Sequence, residues 1–316
     1  MVAAELGPDG VVLLAADLEG HEMGRAKATF AWGASSPRSI CELMGREVRV
    51  LLKKLKKPQE RLVRVVVSVP AIVDMDAGVV VSLSKLKDWR DVPLREMLAE
   101  ELKCPVEVEN DTNLAAQGEF SLGAARAEKN FVFITIGEGV GAGIFVDGKV
   151  CRGARWSAGE IGYLHVPSVS RESPRIRGYG RLEKMLGGPG ILQSWRAAGM
   201  GPHGRVKVKR AVDVCDLAAA GNSRARKILG QKAKILADVV LDLSLILNPG
   251  MILFGGEVGS HPVLMKEVKK LLAGSEFGVS SIKLGELGTE AALWGGIATG
   301  LESGIAGLLH TARVAV

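Results

Sequence analysis

The chain has little cysteine, few aromatics and no long apolar run. Four cysteines in 316 residues (Cys41, Cys104, Cys151, Cys215) are scattered without a C-x-x-C pair. That suits a reducing, cytoplasmic setting and supplies no zinc signature. Seven Phe, five Trp and two Tyr stand against 40 glycines, so the core is aliphatic and tight turns are many, which favours an α/β protein over an aromatic-rich all-β one. The best apolar stretch, Ile235 to Leu247, is interrupted by Asp238, Asp242 and Ser244, so no membrane span is expected. No basic segment followed by an apolar one opens the chain, so no secretory signal is read. Net charge is +6 and spread along the sequence, a weak argument for nucleic acid. What is present is a globular balance, 47% hydrophobic and 24% charged, over a length that suggests two domains.

Residues 2–6 and 11–17 read as a hairpin around Gly7-Pro8-Asp9-Gly10, with a third strand running to about Trp32. A helix is predicted over 37–57, started by Ser36 and Pro37. Arg64 to Val69 is a β-branched run of the kind buried on both faces of a sheet. A strand at 79–83, a helix at 93–103, a strand at 105–109 and a helix from Asp111 to about Leu122 follow. A second cycle starts with a strand at 131–136, a glycine loop, and a hairpin turning at Asp147-Gly148. Residues 153–190 read as functional loop, 181–247 as largely helical, Met251 to Phe254 as a buried strand closed by Gly255-Gly256, and Ala291 to His310 as helical despite its glycines. The repeated strand–turn–strand opening predicts two α/β lobes flanking a cleft.

Two segments carry chemistry. Asn110-Asp111 stands where a strand ends and a helix opens, first of all the place of an N-cap, with a general base acting on a hydroxyl as the alternative. The loop 137–143 has glycine at every second position, which brings backbone N–H groups close to a phosphate or simply lets a hairpin approach its neighbour.

The stretches SVPAIVD (68–74), WRDVPL (89–94), VENDTNLAAQGE (108–119), TIGEGVGAGIFVDGKVCRGA (135–154), AGEIGYLHV (158–166), GRLE (180–183) and NPGMILFGGEV (248–258) together resemble the ROK family of bacterial sugar kinases and sugar-responsive repressors. The resemblance implies an α/β, two-lobed actin-like (ribonuclease-H-like) ATPase fold with a central cleft. It implies an N-terminal lobe over 1–112, completed by 301–316, a larger lobe over 113–300, and a homodimer. It makes Asp111 the base if the chain is a kinase, and places Asn110, Asp111, Glu160, Tyr163 and Glu183 around one sugar. Gly137, Glu138, Gly139 and Gly141 fall on a phosphate loop, and Gly255 and Gly256 on a further nucleotide-binding turn.

Departures from the family pattern shape the functional expectation. Glu138 stands where the family has Thr or Ser, and Asp9 and Pro8 stand in the first phosphate motif. Two unit charges about 4 Å apart repel by roughly 4 kcal/mol at an effective dielectric near 20, so these changes argue against nucleotide binding. Tyr163 replaces a zinc-ligating histidine, and Pro174, Ile176 and Arg181 occupy the cysteine positions of the family's zinc loop, so no zinc is expected. His165 reads as a packing residue. Arg171, Arg175, Arg177 and Arg181 form a basic loop that suits solvent or an acidic sugar. Lys53 to Lys57 and Arg205 to Arg210 read as exposed faces, and Ser84-Lys85-Leu86 as a lost sugar contact.

The expectation is a cytoplasmic sugar-binding effector domain of a transcriptional regulator. It would lack its helix-turn-helix, have no kinase turnover and no cofactor, and contact neither DNA nor membrane. The alternative is an ATP- and Mg-dependent, glucokinase-like sugar kinase.

Overall fold

The computed structural model describes residues 1–7, 10–30, 35–83, 88–165, 180–199, 206–277 and 281–314. Pro8, Asp9, Trp32, Ser84-Lys85-Leu86, Arg171, Pro174, Arg175, Ile176, Arg177 and Arg205 lie outside them. The chain divides into two compact units. The first comprises Met1–Ser121, Arg152–Ser157 and Glu290–Val316, and the second Leu122–Cys151 and Ala158–Thr289.

In the first unit, β1 (Val2–Gly7), β2 (Gly10–Ala16) and β3 (Glu22–Ala28) form an antiparallel meander. Helix α1 (Pro37–Lys54) is capped by Ser36, whose Oγ accepts from the Ser39 amide at 3.2 Å, with Pro37 in the first turn. It stops short of the expected end because Lys56 takes φ +55°. Strand β4 (Val65–Val69) joins β1 in parallel and is buried throughout, as its β-branched run predicts. A small sheet follows, made of β5 (Ile72–Asp74), β6 (Val79–Ser82) and β7 (Arg90–Val92); of these only β6 was expected from the sequence. Then come α2 (Leu94–Leu102), β8 (Val106–Asn110), parallel to β4, and α3 (Asp111–Ser121). The main sheet order is β3-β2-β1-β4-β8. Alternate side chains serve opposite faces. Val2, Ala4, Leu6, Val65, Val67, Val106 and Val108 pack with residues of α1 and α2, while Ala3, Leu14 and Val66 face the other way.

The second unit repeats this order. Strands β9 (Phe131–Ile136), β10 (Val140–Val146) and β11 (Lys149–Val150) are antiparallel. The segment expected to be one largely helical region holds α4 (Arg181–Leu186), α5 (Gly188–Ala197), α6 (Ala211–Ala219) and α7 (Ser223–Leu247). Gly187 between α4 and α5, and Gly221 before the Asn222 cap of α7, mark breaks. Strand β12 (Met251–Gly255) pairs in parallel with β9 and is followed by α8 (Gly256–Gly259). Helix α9 (Pro262–Leu272) and β13 (Ile282–Leu284) were not expected; Pro262 in the first turn and the His261 cap are the local signals for the helix. The order β11-β10-β9-β12-β13 matches the first unit strand for strand, three antiparallel then two parallel. No described helix is long and apolar enough to cross a membrane.

Helix α10 (Ala291–Val314) belongs to the first unit and packs on α3, β1 and β4. Its glycines are what allow the approach. A Cβ at Gly295 would lie 1.7 Å from the Leu114 carbonyl oxygen, and one at Gly118 on α3 would lie 2.2 Å from that of Ala291. Gly295→Ala should therefore destabilise the protein by about 2–3 kcal/mol through overpacking. Gly230→Ala, in α7 with nothing within 4 Å, should stabilise it by roughly 0.5–1 kcal/mol through helix propensity. Denaturant unfolding of both variants checks the pair; equal effects would contradict the packing account.

Candidate functional site

The first unit gathers its polar residues at the carboxyl ends of its parallel strands, where α/β sheets bind ligands. Asn110 ends β8, and its Oδ1 accepts from the Thr112 and Asn113 amides at 2.9 and 3.0 Å. Its Nδ2 donates to the Ala71 carbonyl at 3.1 Å, tying the side chain to the neighbouring corner. Asp111 Oδ1 accepts from the Thr112 amide at 2.7 Å and from its hydroxyl at 3.2 Å. Two α3 amides thus bond to Asn110, so most of the capping falls to that residue.

Three further residues join this site that sequence reasoning had not assigned to it. Cross-strand register places Glu5 of β1 opposite Ser68 of β4, and Ser68 opposite Glu109 of β8. In-register neighbours share a face, so the three form a polar row. The Ser68 hydroxyl is buried and has no hydrogen-bond partner among the described residues. Glu109 is 3% exposed, and its carboxylate accepts from the Asn110 amide (2.8 Å), the Asn113 side chain (3.1 Å) and Arg152 Nε (2.6 Å). Burial, and then the nearby Asp111 charge, push the Glu5 carboxyl up to about 7. The available signal was a polar residue interrupting an apolar parallel strand, as in VAAELG and VVVSV.

In the second unit the structure brings together Gly139, Glu160, Tyr163 and Glu183. Glu183, in the first turn of α4, accepts from the Gly180 amide at 3.1 Å. Its other oxygen lies 2.6 Å from where a Cβ of Gly139 would stand, so any side chain at that position would have to displace the carboxylate. The Tyr163 amide donates to the Glu160 carbonyl at 3.1 Å. Burial, and then Glu160 and Glu183, push the Tyr163 phenol up to about 12, which keeps it a hydrogen-bond donor at physiological pH.

Gly137, Glu138 and Gly139 form the tight turn between β9 and β10, closed by the Gly137 amide on the Gly139 carbonyl at 3.0 Å. Gly141 is not in this turn; it lies within β10 opposite Thr135. The Gly188 amide donates to the Gly137 carbonyl at 2.8 Å. Glu138 Oε2 lies 3.6 Å from the Cβ position of Gly188, at the start of α5, where the helix dipole favours a carboxylate. On either side of Glu138 the turn carries Gly137 and Gly139, whose backbone no side chain shields from a phosphate. Gly255 and Gly256 make the corner after β12, and Gly256 has φ +80°. A Cβ at Gly255 would meet the Phe133 ring and one at Gly256 the Ile136 carbonyl, so these glycines first serve close packing on β9.

His165, expected to pack, is exposed and sits 2.7 Å from Arg181. Among the described residues, Asp17, Glu19 and His21 form the one cluster with metal-like spacing. It is an exposed turn in which Asp17 caps the Glu19 and His21 amides.

A model of the ROK family matches residues 1–299. The chain belongs to the ROK family. It is 31% identical over 261 residues to a glucokinase of Halalkalibacterium halodurans, covering 76% of each chain. It is 35% identical over 239 residues to the bifunctional enzyme NanE/NanK of Brucella melitensis, covering 75% of this chain and 43% of the relative, so it spans under half the length of that protein. A ROK family transcriptional regulator, described as a homolog of the E. coli MLC protein, superposes with a TM-score of 0.81 at 21% identity, over 96% of this chain and 78% of that one. Such a likeness shows the fold, an actin-like α/β architecture. The expectation of a regulator's effector domain is overturned by the kinase relatives, which match at higher identity over three quarters of the chain.

The proton on Glu5 has a measurable consequence. A carboxyl raised from 4.5 to about 7 in the folded state binds its proton more tightly there than when unfolded. Stability therefore falls as pH rises between those values and levels off above them. Unfolding measured from pH 4.5 to 8 should show wild type losing about 3 kcal/mol relative to Glu5→Gln across that window. Parallel curves would contradict the assignment.

Proposed function

We propose that this ROK protein is a sugar kinase that transfers the terminal phosphoryl group of ATP to a hydroxyl of a hexose-type sugar. The observation that carries the reading is the arrangement at the end of β8. Asn110 accepts from two amides of the first turn of α3, and Asp111 stands beside it at the carboxyl end of the parallel strands. In this reading the Asp111 carboxylate accepts the proton of the attacking hydroxyl. The sugar oxygen forms the new bond to phosphorus as the bond to the bridging oxygen of ATP breaks and ADP departs. ATP would supply the phosphoryl group, and a magnesium ion arriving with it would neutralise its charge.

Asn110, Glu160 and Glu183 serve as partners of sugar hydroxyls, and Tyr163 donates where many family members carry histidine. The turn Gly137–Gly139 receives phosphate oxygens through its backbone. Glucose is the first sugar to test, because the relative from H. halodurans is named a glucokinase. The reading places the protein in the cytoplasm as a homodimer, and the four cysteines, all free, agree with the compartment.

A coupled assay with ATP, magnesium and a panel of hexoses and hexosamines tests the proposal. We expect turnover of about 1 s⁻¹ or more with at least one sugar. Asp111→Asn should then lower kcat by roughly 10²–10⁴ while leaving the fold intact. No turnover with any sugar, or an Asp111→Asn variant as fast as wild type, would contradict it.

A further inference from the structure

The segment Arg152–Ser157 belongs to the first compact unit, although Cys151 before it and Ala158 after it belong to the second. Its backbone is bent to do so: Gly153 has φ +72°, and Trp156 has φ +59°, a conformation that L side chains rarely adopt. Such strain persists where the surroundings over-determine it. What the segment delivers is Arg152, whose Nε donates to the buried Glu109 carboxylate at 2.6 Å.

Glu109 directly precedes Asn110 and Asp111. One of its oxygens takes the Asn110 amide and the Asn113 side chain, and the other takes Arg152. We infer that Arg152 is a positioning residue: through the Glu109 carboxylate it fixes the backbone of Asn110 and the first turn of α3, and so the placement of Asp111. A carboxylate this buried is stable as an ion only when paired and hydrogen-bonded. Without the guanidinium, Glu109 would turn toward water, and that movement disturbs the oxygen that holds Asn110 and Asn113. The Asn110 side chain in turn holds the Thr112 and Asn113 amides, so the disturbance passes into the start of α3.

The catalytic part of this inference rests on the kinase reading; the structural part does not. Amide hydrogen exchange by NMR on the full chain tests the structural part. Arg152→Gln should speed exchange at Asn110, Thr112 and Asn113 by about tenfold or more, while amides from Ala116 to Phe120 stay as in wild type. Arg152→Met, which keeps the apolar stem, serves in its place if the glutamine variant does not fold. Arg152→Lys should bring the three amides back to within about threefold of wild type, because it restores the charge. In the coupled assay Arg152→Gln should lower kcat by about tenfold with the KM for ATP unchanged. If wild type shows no turnover, the kinase reading fails and the exchange data alone decide the role of Arg152. Unchanged exchange at the three amides, or equal acceleration along all of α3, would overturn the inference.

Discussion

Burying carboxylates at the ends of parallel strands is the constraint on which the rest of the first unit depends. Glu5, Glu109 and Asp111 are brought to one end of one sheet, and three charges there without compensation would be costly. Each is accommodated differently. Glu109 has a cation and amide donors. Asp111 accepts from the first turn of α3, where the helix dipole favours negative charge. Glu5 holds its proton up to about pH 7. Those solutions need β1, β4 and β8 in register, which the close approach of α10 and α3 through Gly295 and Gly118 supports from one face.

The second unit uses the same strand order for a different end. Its parallel strands β9 and β12 finish at the turn Gly137–Gly139 and at the corner Gly255-Gly256. Neighbours crowd the glycines there: the Phe133 ring leaves no room for a Cβ at Gly255, and the Glu183 carboxylate lies against Gly139. A backbone stripped of side chains for packing reasons is also one that can approach a phosphate. Structural and functional demands therefore coincide at these positions, and a glycine pattern by itself does not separate them.

Much of this was legible in the sequence. The β-branched run of β4, the Ser36-Pro37 helix start and the E-N-D segment at the end of β8 are local signals, and local signals survive without coordinates. The pairing of Arg152 with Glu109 joins residues 43 apart, and the row Glu5–Ser68–Glu109 exists only once three strands are in register. The Arg152–Glu109 pairing has no local signature, and the row leaves only single polar residues in apolar strands, which do not show that they meet. The place of the Glu138 carboxylate near the start of α5 is equally invisible in the sequence, which shows only that a carboxylate is present. The expectation of a regulator's effector domain is corrected by the kinase relatives.

The central claim is that phosphorus moves from ATP to a sugar oxygen. Phosphorus NMR of wild-type protein with ATP, magnesium and glucose follows that atom directly. The account predicts the loss of the terminal phosphate resonance of ATP with equal growth of a sugar phosphate monoester and ADP. ATP that stays intact with glucose and with every other hexose tried, or that yields only inorganic phosphate, would contradict it.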